Sequence, residues 1–475
     1  MRKTNKMINA GLGYTIGNVL IKGISFFTIP LYTRLMVTAD YGIYNTYTAY
    51  VSIVTFVISL GLDPTLKNAE YDYKEHKQTY LSTVYLTTLI PFVVLLACAI
   101  LFGNSISKFF ELNQFVLILL IVQSEASAII NIYNIKLSLS YSSKSYLEIA
   151  FFDTICGIAL SVCLMLTAFN GVRYLGRIVG SLVPIMIVAT TIIVKNIVLS
   201  KEERYNIEMA RYGLVLGLPL IPHLISQIIN SQFDRIMISK IVGYAESGIY
   251  SFTYNIAVIL QIIYTSLDSV WSPWFFSRMA DRDYAAIWAT SQKYIMVMTF
   301  LTAGLMTISR EFIMLFATQS YWDGIGMSQT LIIGIFFLYL YTLPVGVEYY
   351  TKNTKYIAMG SILTAVLNIV LNYFAINRFG YQAAAVTTLI SYCFLFLIHW
   401  FIYLRVRPAK LYDLKRILIS AGGIFLWGVC CRMLENFWII RYAVFLIFAL
   451  CVLYFFKQDV ADYLFNCGFV QRVRK

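Results

Sequence analysis

Charged residues are scarce in this chain of 475 residues: they make up 13% of it, whereas hydrophobic residues make up 59%. Soluble domains carry about 25% charged residues. Half of that content cannot cover the surface of a water-soluble protein of this size, so lipid must be the solvent for most of the chain. The mean hydropathy of +0.71 agrees with this interpretation.

The residues that commonly carry metal, redox or nucleotide chemistry are also few. There are three His, and the eight Cys form no C-x-x-C pair. Several Cys lie inside apolar runs, where they are typical of small core residues. Neither a P-loop nor a G-x-G-x-x-G motif after a strand is present. We therefore expect no metal, no cofactor and no nucleotide-binding domain, so any energy source other than an ion gradient must come from another protein.

Large loops are missing as well, since the longest, near 63–79 and 307–327, have about twenty residues. A membrane enzyme that polymerises or ligates glycans needs a sizeable outer loop with catalytic groups. No outer loop here carries an Asp/Glu pair or a His cluster. The sequence therefore predicts that the protein is not an enzyme.

Apolar runs of spanning length are what the chain has in abundance. A transmembrane helix needs about 20 residues, and runs of this length recur from end to end. The first run follows a basic N-terminus but is too long for a signal peptide, so we interpret it as an uncleaved span. These runs predict an all-α integral membrane protein with about 14 transmembrane helices. The predicted spans are residues 8–32, 41–62, 80–102, 113–136, 148–168, 175–199, 212–233, 248–270, 286–306, 328–347, 355–376, 382–403, 417–433 and 438–456.

The basic residues give an orientation. If the N-terminus is inside and the spans alternate, 26 of the 37 Lys and Arg fall in cytoplasmic segments and 10 in outer segments, with Lys22 inside the first span. This asymmetry follows the positive-inside rule. It predicts cytoplasmic N- and C-termini, and it explains the net charge of +13 without nucleic acid binding.

The chain also resembles itself. Arg34-Leu-Met and a Gly-Ile-Tyr at Gly42 follow the first span, and Arg235-Ile-Met and a Gly-Ile-Tyr at Gly248 follow the seventh. Residues 170–176 (NGVRYLG) match residues 377–383 (NRFGYQA) at nearly the same offset. Six spans per unit give both units the same orientation, which predicts a parallel pseudo-two-fold repeat with a substrate site between the halves. The alternative to a repeat is that Gly-Ile-Tyr only marks the start of a helix.

The repeat predicts three regions along the chain. Residues 1–205 form an N-terminal lobe of six spans, and residues 206–404 form a C-terminal lobe of six spans. Residues 405–475 contain two extra spans and a cytoplasmic tail.

Polar side chains mark the first span of each repeat unit. Asn18, Lys22 and Ser25 form one face of span 1. In span 7, four residues follow the spacing of a single helical stripe. They are Gln227, Asn230, Ser231 and Asp234. Such faces either line a cavity or form hydrogen bonds between helices.

Ionisable residues in the spans are candidates for binding or coupling. Arg34 and Arg235 lie at outer span ends, where Arg either binds a diphosphate in bidentate geometry or anchors the helix at the interface. Buried carboxylates could carry a proton, and the candidates for ion coupling are Glu125, Asp153 and Asp268. Glu125 could instead pair with Lys22. Glu348 lies close to a predicted span end, where we expect it to be wet.

Taken together, these motifs resemble the polysaccharide flippase branch of the multidrug/oligosaccharidyl-lipid/polysaccharide exporter superfamily. The resemblance covers essentially the whole chain. One departure is Ala384, near which the family often has Gly, so we expect different helix packing there. The segments that carry the resemblance are residues 30–35 and 41–44, 217–222, 234–240, 248–250, 271–273 and 380–391.

The resemblance implies a function that the composition alone does not. It implies an alternating-access transporter that flips an undecaprenyl-diphosphate-linked oligosaccharide from the cytoplasmic to the outer leaflet of a bacterial plasma membrane, commonly with H+ or Na+ coupling. In related cell-wall precursor flippases, basic cavity residues recognise the diphosphate, which makes Lys22, Arg34 and Arg235 the candidates here. Assembly proteins such as a polysaccharide polymerase are possible partners.

Two other functions compete with this one. A multidrug exporter of the same superfamily would share the repeat, but a cation exporter would want an acidic cavity, whereas Lys22 and the two Arg favour an anion. A membrane polysaccharide polymerase is the less favoured alternative, because this chain lacks the large outer loop that a polymerase needs.

Overall fold

The computed structural model describes residues 20–455, together with Gly13 and Gly17, and it describes side chains up to residue 450. Within this part of the chain every regular element is a helix. Lipid offers no hydrogen-bond partner for the backbone, so a spanning segment must satisfy its N–H and C=O groups internally. The predicted all-α class is therefore confirmed.

Seventeen helices follow one another along the described chain from residue 29 onward, and residues 20–27 before them are also helical. They are α1 (Ile29–Leu35), α2 (Thr38–Ser59), α3 (Leu66–Asp72), α4 (Lys77–Leu101), α5 (Gly103–Phe110), α6 (Gln114–Leu139), α7 (Ser143–Leu166), α8 (Arg173–Ile193), α9 (Ile207–Gly217), α10 (Ile221–Ile241), α11 (Tyr244–Ala280), α12 (Tyr284–Phe316), α13 (Ile325–Tyr350), α14 (Thr354–Phe379), α15 (Ala383–Val406), α16 (Leu414–Met433) and α17 (Trp438–Phe455). Short 3-10 turns lie at Asp63–Thr65, Leu218–Leu220 and Gln319–Gly324, and a π-helical turn lies at Val194–Val198.

Eleven helices of the described residues are long and apolar enough to cross a membrane, or twelve if α2 and the bent segment after it form one span. They coincide with predicted spans 2 to 13. The first predicted span begins outside the described residues, and the last coincides with α17, whose described apolar part Trp438–Leu450 is shorter than a full span. The count is consistent with the predicted fourteen.

The bend after α2 has a local cause. Leu60 and Gly61 both adopt positive φ angles of 52° and 66°, which end the helix. The chain then turns by 52° into Asp63–Asp72. A Cβ at Gly61 would lie 2.5 Å from the carbonyl oxygen of Gly217, so only Gly fits this turn.

Helices α11 and α12 extend furthest beyond their predicted spans, because they continue past the apolar region. Helix α11 has 37 residues and α12 has 33. At about 1.5 Å per residue, α11 is about 55 Å long, well beyond the roughly 30 Å of hydrocarbon. Pro273 lies inside the continuous α11, although proline in a helix interior removes a backbone hydrogen bond.

The chain divides into two compact units. The first comprises residues 1–251 and 361–381, and the second comprises residues 252–360 and 382–475. The predicted lobes of the repeat stay a prediction, because these units are defined by packing rather than by internal similarity.

In the first unit, the two glycines that the repeat aligns contact each other. A Cβ on Gly42 of α2 would lie 1.8 Å from the carbonyl oxygen of Tyr244, and a Cβ on Gly248 of α11 would lie 2.1 Å from that of Thr38. Each glycine thus packs against the backbone just before the other. A reciprocal contact of this kind is what a two-fold relation between equivalent segments produces.

In the second unit, the α16–α17 hairpin is attached to the end of α12. The Arg310 guanidinium donates to the Glu435 carbonyl, and Arg441 forms an ion pair with Glu311. Arg441 is almost fully buried. Trp427 adds a hydrogen bond of 3.1 Å from its indole nitrogen to the Ala303 carbonyl.

Candidate functional site

The polar face predicted for span 1 is only partly described. Asn18 lies outside the described residues. Lys22 and Ser25 are exposed, and Ser25 Oγ donates to the Ile21 carbonyl at 3.0 Å within its own helix. Lys22 forms no ion pair with Glu125 or with any other described carboxylate, so the predicted alternative pairing does not occur.

The two Arg that the repeat aligns have different surroundings. Arg34 ends α1 and is exposed. Arg235 of α10 is 6% exposed, and its guanidinium donates to the side-chain oxygen of Gln232. Ser247 Oγ donates to the Arg235 carbonyl at 3.0 Å, which ties α10 to the start of α11. Arg34 is thus reachable by a ligand, whereas Arg235 is part of the packing of the first unit.

The predicted stripe of span 7 divides into two parts. Gln227 is exposed and forms a 3.0 Å hydrogen bond with His223, and Ser231 is half-buried and donates to the Gln227 carbonyl at 3.1 Å. Asn230 and Asp234 are buried, and Asn230 donates to the Ser361 carbonyl at 3.4 Å. Interhelical hydrogen bonding therefore involves the buried part of the stripe, and cavity lining by its exposed part stays a prediction.

Asp234 lies at the centre of a buried polar cluster within the first unit. Its carboxylate accepts a 2.7 Å hydrogen bond from Tyr250 of α11 and a 2.5 Å hydrogen bond from Asn372 of α14. Asn372 also donates to Asn368 at 3.1 Å. We name Asp234, Tyr250, Asn368 and Asn372 the Asp234 cluster. Charge-assisted hydrogen bonds of this kind offset part of the cost of burying a carboxylate.

The sequence did not identify the other three members of the Asp234 cluster. Asn368 and Asn372 lie one helical turn apart on α14, a polar pair that interrupts an apolar span. That spacing was the available signal. Their contact with Asp234 joins residues 138 positions apart, which no local pattern could predict.

The predicted ion-coupling carboxylates lie on three different helices. Glu125 of α6 is 5% exposed and accepts one long hydrogen bond of 3.4 Å from Thr88, while its other oxygen has no partner among the described residues. Asp153 of α7 is half-buried, and no described residue forms a hydrogen bond with it. Asp268 of α11 is half-buried and accepts from Ser272 at 3.2 Å. Glu125 and Asp153 belong to the first unit and Asp268 to the second.

Glu348 does not lie in water as the sequence suggested. The side chains of Glu348 on α13 and His399 on α15 are both 0% exposed, and Nδ1 of His399 is 2.8 Å from an oxygen of Glu348. Helix α13 continues past the predicted span end to Tyr350, and α15 covers the side chain of Glu348. We name these two residues the Glu348–His399 pair.

Another cation was missed by sequence reasoning. The Arg177 guanidinium of α8 lies between two rings, 3.2 Å from the centroid of Tyr32 and 4.1 Å from that of Tyr44. Two of its buried nitrogens have no hydrogen-bond partner among the described residues. Cation–π contact stabilises the charge and holds α1, α2 and α8 together.

A cavity of about 360 Å³ lies in the first unit, away from all predicted site residues. Charged groups of both signs line it, including Lys74, Lys136, Glu75 and Glu202. Lys136 donates to Asn196 at 2.8 Å. The mixed charge selects neither an anion nor a cation. Among the described residues, no cluster of His, Cys, Asp and Glu could hold a metal ion.

Comparisons with known proteins place this architecture in context. The family model described as "Polysaccharide biosynthesis protein" matches residues 10–280. A protein of the Lsg locus of Haemophilus influenzae is 24% identical over 291 residues, which cover 58% of this chain and 68% of that protein.

Solved structures share the fold at low identity. The lipid II flippase MurJ in an inward closed conformation has a TM-score of 0.72 at 17% identity, covering 94% of this chain and 99% of that one. An inward-facing multidrug resistance MATE transporter of the MOP superfamily has a TM-score of 0.61 at 12% identity, covering 84% and 99%. A MOP superfamily transporter from Pyrococcus furiosus has a TM-score of 0.55 at 11% identity, covering 85% and 96%. The superfamily fold predicted from the motifs is confirmed.

Proposed function

The chain belongs to the polysaccharide biosynthesis protein family, and on this premise we propose that it flips an undecaprenyl-diphosphate-linked oligosaccharide from the cytoplasmic to the outer leaflet by alternating access. The family match over residues 10–280 carries the proposal. The shared fold with a lipid II flippase supports it, because lipid II is also a lipid-linked sugar precursor.

The physics of the cargo explains why a protein is needed. A charged diphosphate with its sugars cannot cross about 30 Å of hydrocarbon unaided. A polar, basic surface replaces the lost hydration of the headgroup, while the prenyl tail stays in lipid.

Lys22 and Arg34 are the best placed of the three diphosphate candidates. Both are exposed within the described chain, so a headgroup can reach them. Arg235 binds phosphate only if its guanidinium leaves Gln232, so we assign it a supporting role. Arg recognises phosphate oxygens through paired N–H donors, and Lys through a point charge.

An ion gradient drives the cycle in this proposal, with H+ or Na+ as the coupling ion. Glu125 is the best supported of the three candidates Glu125, Asp153 and Asp268, because it is the most buried and one of its oxygens has no partner among the described residues.

The protein works in a bacterial plasma membrane with both termini in the cytoplasm, next to a polymerase or other assembly proteins.

Multidrug export is the second candidate, because the MATE transporters share the fold. A cationic drug needs anionic groups at the surface it reaches. Lys22 and Arg34 are exposed cations, which favours the anionic cargo.

A liposome assay tests the proposal. Purified protein is reconstituted with an undecaprenyl-diphosphate oligosaccharide in one leaflet, and arrival in the other leaflet is followed by an added glycosidase, with and without a proton or sodium gradient. We expect flipping by the wild type and at least a tenfold slower rate in Lys22→Ala/Arg34→Ala. Lys144→Ala is the matched control, because Lys144 is an exposed cation of the same unit whose side chain is 90% exposed.

The outcomes separate the candidate functions. Extrusion of a cationic dye without flipping would replace the proposal with drug export, and longer glycans without flipping would indicate a polymerase. Unchanged flipping in the double variant would remove Lys22 and Arg34 from headgroup binding.

A further inference from the structure

We propose that the Glu348–His399 pair is a proton-binding site that couples the transport cycle to a proton gradient. This inference rests on the proposed function for its role in transport, but the proton site itself can be tested without it. The observation that carries it is a carboxylate and an imidazole in contact at 2.8 Å, both fully buried.

Each member of the pair has a polar atom that the shared hydrogen bond does not use. His399 Nδ1 and Glu348 Oε1 share one hydrogen bond. The other oxygen of Glu348 and Nε2 of His399 are buried and have no hydrogen-bond partner among the described residues. A pair built only for packing would satisfy these atoms, since an unpaired buried polar group costs about 1–3 kcal/mol.

The net charge of the pair determines how stable it is in the low-dielectric interior. With one shared proton the pair is neutral overall, either as carboxylic acid and imidazole or as carboxylate and imidazolium. When that proton leaves to water, the pair becomes a buried anion, which is strongly disfavoured without a counter-charge. Proton binding therefore changes the stability of the packed arrangement, which is the requirement for coupling.

Among the described residues, no third charged side chain forms an ion pair or a hydrogen bond with either member of the pair. On their own helices, Tyr341 packs edge-on against the imidazole with ring centroids 4.9 Å apart, and Tyr349 interacts electrostatically with Glu348. Helix α14 contributes Gly360, and Phe275 of α11 contacts α13 at Gly346. Among the described residues, no Lys, Arg or Asp of α12, α16 or the turn Gln319–Gly324 bonds with either member.

The elements around the pair can respond to its charge. Pro344 lies inside α13 one turn before Glu348, and it removes a backbone hydrogen bond at that point. The end of α13 can therefore bend more easily than a regular helix. Gly360 lies so close to His399 that a Cβ there would be 2.4 Å from Nε2, so a shift of the imidazole toward α14 would bring it into contact with the backbone of that helix.

Infrared difference spectroscopy of the purified full chain tests proton binding directly. A protonated buried carboxyl gives its own C=O band, and a component of this band that responds to pH in the wild type reports proton uptake or release. We expect this component to disappear in Glu348→Gln. In His399→Gln the wavenumber of this component should shift, because the hydrogen bond to the carboxyl changes.

Transport measurements test the coupling. Stimulation of flipping by a pH gradient should fall at least fivefold in Glu348→Gln and in His399→Gln. Ser309→Ala is the matched control, because it removes another buried interhelical bond of the same unit, Ser309 to Ser328 at 3.2 Å, without removing a titratable group. The control should keep the stimulation.

Each remaining result has a definite meaning. Identical titrations in the wild type and Glu348→Gln would overturn the proton site. Full gradient stimulation in both single variants would overturn the coupling. If a single variant does not fold, Glu348→Gln/His399→Gln replaces it, because two amides can keep the hydrogen bond without titrating. If the wild type flips no lipid-linked oligosaccharide, the proposed function fails while the infrared result still decides the proton site.

Discussion

At the scale of single residues, side chains of similar polarity and equivalent position differ in their burial. Arg34 and Arg235 occupy equivalent places in the repeat, yet one is exposed and the other is 6% exposed. Within one predicted stripe, Gln227 is exposed and Asp234 is buried. A stripe only states which side chains share a face of a helix. Whether another helix covers that face depends on tertiary packing.

Contacts between residues that are far apart in the sequence were also not predicted. Glu348 and His399 are 51 positions apart, and Asp234 and Asn372 are 138 apart. Each residue alone is an ordinary polar side chain near or inside a span. These residues come into contact only because α13 packs on α15 and α10 packs on α14.

The Asp234 cluster supports a prediction about stability. Tyr250→Phe removes a hydroxyl that donates to the buried Asp234 carboxylate at 2.7 Å. We expect the free energy of unfolding to fall by about 1.5–3 kcal/mol, the usual loss for a hydrogen bond to a charged group. Thermal and denaturant unfolding in detergent measures this change.

Tyr85→Phe is the matched control for that prediction. Tyr85 is 0% exposed in the same unit, and its hydroxyl has no hydrogen-bond partner among the described residues. Removing an unsatisfied buried hydroxyl should leave the stability unchanged or raise it. Equal effects of the two substitutions would mean that the Tyr250 bond contributes nothing.

At the scale of helices, hydropathy located the spans well and their ends poorly. Lipid selects apolar residues over the thickness of the hydrocarbon, and that selection is visible in the sequence. Helix α11 continues to Ala280, ten residues past the predicted end of its span. Pro273 lies in this extension. Proline removes a backbone hydrogen bond, but groups on neighbouring helices can satisfy the freed carbonyl, so the helix can continue through it.

The contact between α2 and α11 gives a prediction at this scale. Gly42→Ala and Gly248→Ala each insert a methyl group within about 2 Å of a backbone carbonyl. Each should destabilise the protein by at least 1–3 kcal/mol, the range for overpacking. The double variant should cost clearly less than the sum, because the first methyl group already separates the helices that the second would clash with. Unfolding in detergent provides the measurement.

Gly422→Ala serves as the control for the glycine pair. Gly422 lies inside α16, and a Cβ there would meet no atom within 4 Å. Ala favours helix over Gly by up to about 1 kcal/mol, so this variant should be neutral or more stable. Strict additivity of Gly42→Ala and Gly248→Ala would show that the two glycines do not share one contact.

At the scale of the whole molecule, the fold class and the family were accessible from the sequence because they depend on repeated features. Scarce charge, recurring apolar runs and several moderately specific motifs point to the same answer. The lobes depend on two weak internal matches, and the reciprocal Gly42–Gly248 contact is the structural feature that agrees with them. The cargo depends on a few side chains whose contacts form only in the folded protein.

Membrane orientation supplies the last prediction, because the direction of flipping depends on it. Helix α16 separates two short segments: residues 407–413 with Lys410, and the turn with Asn436. Five Lys and Arg lie in residues 404–416, and retaining them in the cytoplasm is favoured during insertion. We therefore expect Asn436→Cys to react with a membrane-impermeant maleimide in intact cells, and Lys410→Cys to react only after permeabilisation. The unsubstituted chain supplies the background from the native Cys. The reverse labelling pattern would mean that every segment lies on the opposite side of the membrane, and it would reverse the proposed direction of flipping. Equal labelling of both sites in intact cells would mean that α16 does not cross the membrane.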